Sequence, residues 1–207
     1  MGVKSRDPGG SIVYRYALRP HTIYLNITNR CSNSCSFCVR NYSSGLSGYK
    51  LWLDREPTVD EIWSDFQMEA KGSDIEVVYC GFGEPTIRLD VVLELTRKIK
   101  SECPHLLVRL DTDGLAQLRS SEMEVARELK EAGVDSVSIS LNADSKEKYE
   151  VLCRPSLTGV YQAVLDFAKD CKKCFARVRL TAVNLEEIDL SKCMEIAEGL
   201  GCDFVVR

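Results

Sequence analysis

The sequence predicts an α/β fold in which about six parallel strands form an open barrel with a polar interior. Strand-like and helix-like segments alternate along the chain, an order that produces parallel sheets with right-handed crossovers. The strands themselves alternate apolar and polar residues, whereas fully buried parallel strands are usually apolar throughout. Several polar or glycine-containing turns directly follow strands, at the end of the sheet where such folds bind ligands.

Composition indicates an ordinary globular chain. It has 207 residues, 44% hydrophobic and 28% charged, which is enough for one domain with its own core. The net charge of -4, without any basic run, argues against a dedicated nucleic-acid surface. No apolar run approaches the ~20 residues of a membrane helix, and residues 1–10 lack the apolar core of a signal peptide. We therefore expect a cytoplasmic protein without a membrane partner.

The chain divides, in this interpretation, into an N-terminal lead and short extension at residues 1–20 and a core at 21–207. Residues 1–10 read as a flexible lead, and residues 11–18 as a short strand or hairpin arm. The long connector at 39–57 carries glycines, serines, tyrosines and a tryptophan, and a loop of this length in a compact domain is usually functional. It is either a lid or a mobile connector.

The remaining elements follow in order. Strands are predicted at 22–28, 75–80, 106–111, 134–141, 175–183 and from 203 onward. Helices are predicted at 58–72, 90–101, 121–133, after 145, after 158, and at 189–201. Thr58 and Glu61 form a capping box and Gly72 ends that helix, while Ser121 and Glu124 are expected to cap a later one.

Because helices must cover the apolar face of the strands, the polar face is expected to point into the barrel. Buried charges there require partners. We expect Arg109, Arg177 and Arg179 to pair with Asp111, Glu76 or a bound carboxylate. An antiparallel sheet with one wet face also explains the alternation of side chains, but it does not explain the helices between the strands.

Ten cysteines are many for such a chain, and three of them cluster as Cys31, Cys35 and Cys38. Without a signal peptide, metal binding and buried free thiols are favoured over disulfides. A structural zinc site needs four ligands, and a cubane iron–sulfur cluster usually has four cysteines. The local motif supplies three, and the next cysteine is Cys80. An iron left without a protein ligand could bind a substrate or cofactor, while a zinc site stays the alternative.

The Cys-x3-Cys-x2-Cys spacing, with an aromatic residue before the last cysteine, resembles the signature of the radical S-adenosylmethionine (SAM) enzymes. The turn at 81–85, Gly-Phe-Gly-Glu-Pro, resembles that superfamily's Gly-Gly-Glu-Pro turn, with an inserted phenylalanine as a departure. The order of elements resembles its partial (β/α)6, TIM-like barrel. The stretches 26–30, 81–86, 138–143 and 152–155 are similar to the TatD-associated radical SAM proteins.

The resemblance implies an enzyme that cleaves SAM reductively at a [4Fe-4S] cluster. The products would be methionine and a 5′-deoxyadenosyl radical, which abstracts hydrogen from an unidentified substrate. An external one-electron donor of the flavodoxin or ferredoxin type would be needed. A TatD-type nuclease is a further partner suggested by the family association. A different class of function, an iron–sulfur or zinc binding module without its own catalysis, is the alternative.

The resemblance also implies the site. Cys31, Cys35 and Cys38 would hold the cluster. The backbone of Gly81, Phe82 and Gly83 would receive the SAM ammonium group, because glycine allows a close approach. The other expected cofactor-binding residues are Glu84 as a charge or turn stabiliser, Thr112, Asp113, Ser140 and Asn142 for the ribose and carboxylate, Arg179 for the carboxylate, and Phe37 and Val183 beside the adenine.

For the remaining cysteines, packing roles are weighed against reactive or ligand roles. Cys80 and Cys153 lie near the expected rim, where each is an inert packing residue, a reactive thiol or a fourth ligand in a resting state. Cys171 and Cys174 share one helix face, where core packing is favoured over an auxiliary cluster.

Overall fold

The fold is known from a computed structural model that describes residues 9–207. The expected flexible lead at 1–10 therefore falls mostly on residues 1–8, outside the described residues. Within residues 9–207, the strands are β1 (Val13–Tyr14), β2 (Thr22–Leu25), β3 (Gly45–Leu46), β4 (Tyr49–Lys50), β5 (Glu76–Tyr79), β6 (Leu107–Thr112), β7 (Ser136–Ser140), β8 (Arg177–Ala182) and β9 (Asp203–Val206).

The helices of the same residues alternate with the longer strands. They are α1 (Val59–Glu69), α2 (Leu89–Glu102), α3 (Ala116–Arg119), α4 (Val125–Ala132), α5 (Lys146–Cys153), α6 (Val160–Cys174) and α7 (Leu190–Gly199). Two short 3-10 helices, Val39–Asn41 and Pro85–Arg88, lie in the loops. None of the helices in the described part of the chain is long and apolar enough to cross a membrane.

The strands form a seven-stranded sheet in the order β1-β2-β5-β6-β7-β8-β9. All neighbours from β2 to β9 run parallel, and only the short β1 pairs antiparallel, with β2. The parallel sheet predicted from the alternation of elements is thus confirmed, and the antiparallel alternative is wrong. Curvature of this sheet into a partial barrel stays a prediction, as does the division of the chain at residue 20.

The main core lies on the face of the sheet that the helices cover. Alternate residues of β6 to β8 point into it, and the fully buried ones are Val108, Leu110, Val137, Ile139 and Leu180. The packing partners from the helices include Ile99, Leu129, Val164 and Phe167. The polar residues of the same strands consequently face the other side of the sheet.

A network of charged side chains lies on the face of the sheet opposite the helices, before the turns that follow the strands. Arg109 Nε lies 3.1 Å from Glu76 Oε1, and the guanidinium also pairs with Asp111. Arg207 Nη2 lies 3.2 Å from the other oxygen of Asp111. The expected pairing of Arg109 is confirmed. Arg177 instead lies exposed, because it begins β8 at the outer end of the strand, and a polar interior for the face as a whole stays a prediction.

The helix termini follow the sequence in part. The capping box of Thr58 and Glu61 is confirmed, but α1 ends at Glu69, with Ala70 as its C-cap, rather than at Gly72. Ser121 does not cap α4. Its N-cap is Glu124, whose side chain makes no capping bond, and the Val125 N–H instead donates to a glutamine side chain of the preceding segment, 3.1 Å away.

The connector 39–57 contains a two-stranded hairpin, β3–β4, which the sequence did not predict. Its return segment is held firmly. Asn26 Nδ2 donates to the Leu51 carbonyl at 2.8 Å, and Asn29 exchanges hydrogen bonds with both backbone groups of Leu53, at 2.7 and 3.1 Å. The base of the connector is therefore fixed to the loop that follows β2, while Tyr42 near its start is 77% exposed.

Candidate functional site

The cysteine loop leaves the carboxyl end of β2 and is supported by the end of α5. Backbone N–H groups of Ser34 and Ser36 donate to the carbonyls of Cys153 and Leu152, at 3.0 and 2.9 Å. Asn33 forms a β-bridge with Pro155. The loop is thus held against residues 152–155 along its middle, and its three cysteines are each partly buried.

The thiols of Cys31 and Cys35 have pKa values shifted in opposite directions. Cys31 Sγ accepts a hydrogen bond from the Asn33 N–H at 3.4 Å, yet burial raises the pKa of Cys31 to about 12. The thiols of Cys35 and Cys153 are hydrogen-bonded to each other. This bond lowers the pKa of Cys35 and, together with burial, raises that of Cys153. Loading with iron would therefore release protons and draw Cys35 away from Cys153.

The glycine turn at 81–85 follows β5 and packs against the start of the cysteine loop. A Cβ on Gly81 would lie 2.2 Å from Asn26 Oδ1, and one on Gly83 would lie 2.4 Å from the Thr28 carbonyl oxygen. Both positions accept only glycine, because backbone or a buried side chain fills the space. The Phe82 N–H donates to Asn26 Oδ1 at 3.2 Å, so this part of the turn is fixed before any ligand binds.

The inserted Phe82 packs into a small second core beside β1. Its ring lies 5.3 Å from Trp52, edge to face, and belongs with Tyr14 and Leu51 to a buried cluster. Its carbonyl accepts a hydrogen bond from Arg40 at 3.2 Å. The extra residue thus anchors the glycine turn to the return segment of the 39–57 connector. Its expected role in cofactor binding stays a prediction.

Glu84 joins the turns that follow β5 and β6. Its carboxylate accepts from the Thr86 N–H at 2.9 Å, from the Thr112 hydroxyl at 2.8 Å and from the Asp113 N–H at 2.6 Å. The side chain is buried, and burial together with the negative Asp113 raises the pKa of Glu84 to about 7. The expected turn-stabilising role of Glu84 therefore has a geometric basis.

Two arginines that the sequence did not single out connect these turns with the cysteine loop. Arg40 donates to the Asn29 and Phe82 carbonyls and to that of Asn33, the last at 3.3 Å. Arg119, at the end of α3, reaches the hydroxyl of Ser32 at 3.0 Å. Their contacts span 42 and 87 residues of chain, which no local motif could reveal.

Residues at the carboxyl ends of β7 and β8 complete the edge of the sheet at which the site lies. Asn142 adopts a left-handed backbone, with φ 56°, and its N–H donates to the Thr181 carbonyl at 3.1 Å. Its side chain is hydrogen-bonded to Cys153, under the cysteine loop. Such a conformation in a non-glycine residue indicates a constrained site. Asn142 thus lies at the end of the sheet beside Cys153, whose carbonyl holds the cysteine loop, and its expected cofactor contact stays a prediction.

The strand register decides which of the other expected residues meet. Ser140 pairs with Thr181 at the end of the sheet, whereas Arg179 pairs with Ser138, one inward-facing position lower. Arg179 is therefore level with Asp111 rather than with Asp113. Phe37 and Val183 are both half-buried, and Phe37 packs against the main core. The cofactor contacts expected of these residues stay predictions.

Two buried polar atoms without a hydrogen-bond partner indicate whether the site fits a cluster and SAM. In residues 9–207, three buried side-chain atoms lack a hydrogen-bond partner, and two of them, Asn33 Oδ1 and Arg119 Nε, belong to this site. Buried polar atoms are normally paired, so orphans at a strand-end site indicate a missing ligand. Across the described range, no three His, Cys, Asp or Glu side chains converge on a single metal ion. Three thiols fall one short of the four ligands of a structural zinc site, whereas in a cubane cluster they would leave one iron open.

Comparison with known proteins agrees with this chemistry. The sequence model of the Radical SAM superfamily matches residues 25–198. The GTP 3′,8-cyclase of Lactiplantibacillus plantarum is 33% identical over 162 residues, 78% of this chain and 45% of that protein. A probable GTP 3′,8-cyclase of Pyrococcus horikoshii is 31% identical over 175 residues, 83% of this chain and 49% of that protein. The chain thus spans about half the length of the curated relatives it matches.

Solved structures share the fold at lower identity. Methylornithine synthase superposes with a TM-score of 0.60 at 14% identity, over 89% of this chain and 52% of that one. SuiB of Streptococcus suis, bound to S-adenosylmethionine, gives 0.63 at 15% identity, over 88% of this chain and 39% of that one. The family match extends over the cysteine loop and every strand-end turn of the site, and the chain accordingly belongs to the radical SAM superfamily.

Proposed function

We propose that this chain is a radical SAM enzyme that holds a [4Fe-4S] cluster through Cys31, Cys35 and Cys38 and binds SAM at the adjoining strand ends. The observation that supports it most is the linkage of the cysteine loop to the glycine turn and to the Thr112–Asp113 turn through buried polar contacts. When bound, the cluster and SAM supply one-electron cleavage of a sulfonium bond and hydrogen abstraction from a substrate.

The residues of this chain position and shield that chemistry. Three thiolates leave one iron without a protein ligand. Gly81 and Gly83 keep side chains out of the turn that would meet the amino group of SAM. Glu84 fixes the position of Thr112 and Asp113, the proposed ribose partners. The same proposal assigns Ser140, Asn142 and Arg179 to polar groups of SAM, and Phe37 and Val183 to its adenine.

The substrate is expected to bind at the edge of the sheet formed by the carboxyl ends of the strands. Since Asn26 and Asn29 hold the base of the 39–57 connector, we propose that the connector is a fixed wall of the site rather than a hinged lid. The exposed Tyr42 and the 44% exposed Trp52 would then contact the substrate. The related cyclases act on GTP by their names, but this chain matches only about half of them, so a GTP substrate is not assigned.

Several narrower predictions accompany this proposal. They are membership of the TatD-associated group, a partial (β/α)6 barrel with a polar interior, an extension at 1–20 beside a core at 21–207, reduction by a flavodoxin- or ferredoxin-type donor, and association with a TatD-type nuclease. The similar stretches at 26–30, 138–143 and 152–155 support the first of these. The stretch 152–155 also supplies the α5 carbonyls that hold the cysteine loop.

The proposal is tested by anaerobic reconstitution with iron and sulfide, followed by SAM and dithionite, with mass spectrometry of 5′-deoxyadenosine. The wild-type protein is expected to release it, and Cys35→Ser is expected to release none. Cys103→Ser is the matched control, because this cysteine lies at the end of α2, beyond the opposite end of the sheet. A colourless protein that binds one zinc and releases no 5′-deoxyadenosine would contradict the proposal.

A further inference from the structure

Arg119 is the one side chain that contacts all three segments of the site in the described chain. Its Nη1 lies 3.0 Å from the hydroxyl of Ser32, next to the first cluster cysteine, and 2.9 Å from Asp113 Oδ2. Its Nη2 lies 3.0 Å from Asp113 Oδ1 and also donates to the hydroxyl of Thr86, beyond the glycine turn. The bidentate pair with Asp113 fixes the plane of the guanidinium.

The charge of Arg119 is balanced against two carboxylates. The side chains of Glu84 and Asp113 are only 4% and 7% exposed, and Arg119 Nη2 lies 3.7 Å from Glu84 Oε1. The side chain of Arg119 is 16% exposed, so water screens these charges weakly. Arg119 is the single cation of this group, beside the two carboxyl groups. A cluster with three thiolates would add further negative charge beside the single cation.

One donor of this guanidinium has no protein partner. Arg119 Nε is buried and unpaired, while its other nitrogens are engaged. A buried donor without an acceptor is unfavourable, and a bound anionic group would offset that cost. The same guanidinium donates through Nη1 to the hydroxyl of Ser32, the residue that follows Cys31. The unpaired N–H therefore adjoins the part of the site where the thiolates would lie.

We propose that Arg119 is a positioning residue that fixes the cysteine loop against the cofactor turns and raises the reduction potential of the cluster. This inference rests on the proposed function. Reduction adds one negative charge to the cluster, and a nearby fixed cation stabilises the reduced state more than the oxidised one. Hydrogen bonds and charge near the sulfurs are recognised determinants of cluster potential.

The test is an EPR-monitored redox titration of the reconstituted protein without SAM, alongside its iron and sulfide content. Arg119→Gln is expected to load iron normally but to be harder to reduce, with the reduced-to-oxidised ratio at a fixed potential lower by about tenfold, or about 59 mV. Arg119→Lys, which keeps the charge, is expected to retain most of the wild-type potential. Arg127→Gln, a change at an exposed arginine of α4, should leave it unchanged.

Two further variants separate charge from folding. Asp113→Asn removes a neighbouring negative charge and is expected to shift the potential upward, opposite to Arg119→Gln. Ser32→Ala breaks one contact without changing charge and should shift it much less. Equal potentials in the wild type and Arg119→Gln would overturn the inference, as would a downward or absent shift in Asp113→Asn. If the wild type itself assembles no iron–sulfur cluster, it is the proposed function that fails.

Discussion

Gly83→Ala is predicted to disrupt the contact between the glycine turn and the cysteine loop. The added Cβ would lie 2.4 Å from the Thr28 carbonyl oxygen and 2.5 Å from that of Arg30. Both are backbone atoms, so no side-chain rotation can relieve the clash. Since ordinary contact begins at 3.4 Å, the two segments must separate by about 1 Å.

The cost follows from what that separation breaks. The Glu84 N–H donates to the Arg30 carbonyl at 2.7 Å, and an added ~1 Å would take this bond beyond hydrogen-bonding distance. Overpacking costs about 1–3 kcal/mol and a lost hydrogen bond about 0.5–1.5 kcal/mol. We expect Gly83→Ala to lower the free energy of unfolding by about 2–4 kcal/mol, a large share of the ~5–15 kcal/mol of a typical domain.

Urea unfolding of the cluster-free protein under reducing conditions measures this loss. Gly72→Ala is the matched control, because nothing lies within 4 Å of a Cβ at that position. It is expected to leave stability unchanged or to raise it by about 0.4–1 kcal/mol through the unfolded state. If Gly83→Ala unfolds within about 0.5 kcal/mol of the wild type, the proposed close packing of the turn is wrong.

Three other predictions concern titration, metal loading and the charged network. Because the folded pKa of Glu84 is about 7, above its ordinary 4.5, its contribution to stability is fully present below about pH 4.5 and is lost as pH rises through about 7. The urea unfolding midpoint of Glu84→Gln should therefore depend less on pH across this window than that of the wild type. An equal pH dependence in the two proteins would refute the raised pKa. Cys153→Ala should still load iron, whereas Cys35→Ala should not. If the two variants lose equal amounts of bound iron, Cys153 is a ligand. Arg109→Met leaves Glu76 without its ion pair and Asp111 with Arg207 alone, and it should lower the free energy of unfolding by about 2–3 kcal/mol in urea; a loss below about 0.5 kcal/mol would show that the network contributes little.

The elements that the sequence predicted are those with local signals. The Ser145 side chain caps α5 by accepting from the Lys148 N–H at 3.3 Å, and Gly133 ends α4 in a left-handed conformation with φ 107°. Both depend on residues a few positions apart. The parallel sheet followed from alternation of element types, which needs no knowledge of long-range contacts.

The parts that were missed depend on distant partners. The hairpin β3–β4 has two-residue strands with too little apolar pattern to predict. The C-cap of α1, Ala70, precedes a turn in which Asp74 accepts from the Lys71 N–H, 2.7 Å away, and is itself paired with Arg15. That pairing joins residues 59 positions apart, so Gly72 was the wrong stop signal.

The candidate site divides in the same way. The spacing of Cys31, Cys35 and Cys38 and the glycine turn are visible in the sequence. The bridging arginines are not, since Arg40 and Arg119 belong to no motif and act through contacts set by the fold. Arg179 was chosen from strand alternation alone, and only the register showed that it lies one position below the end of the sheet.

The most direct test of the central claim is the EPR spectrum of the reduced, reconstituted protein before and after addition of SAM. A cluster held by three cysteines has an iron free to bind SAM, so the spectrum is predicted to change on addition, and to change in the Cys153→Ala variant as well. A spectrum that stays the same with SAM would contradict the proposal that Cys31, Cys35 and Cys38 hold an open cluster beside a SAM site.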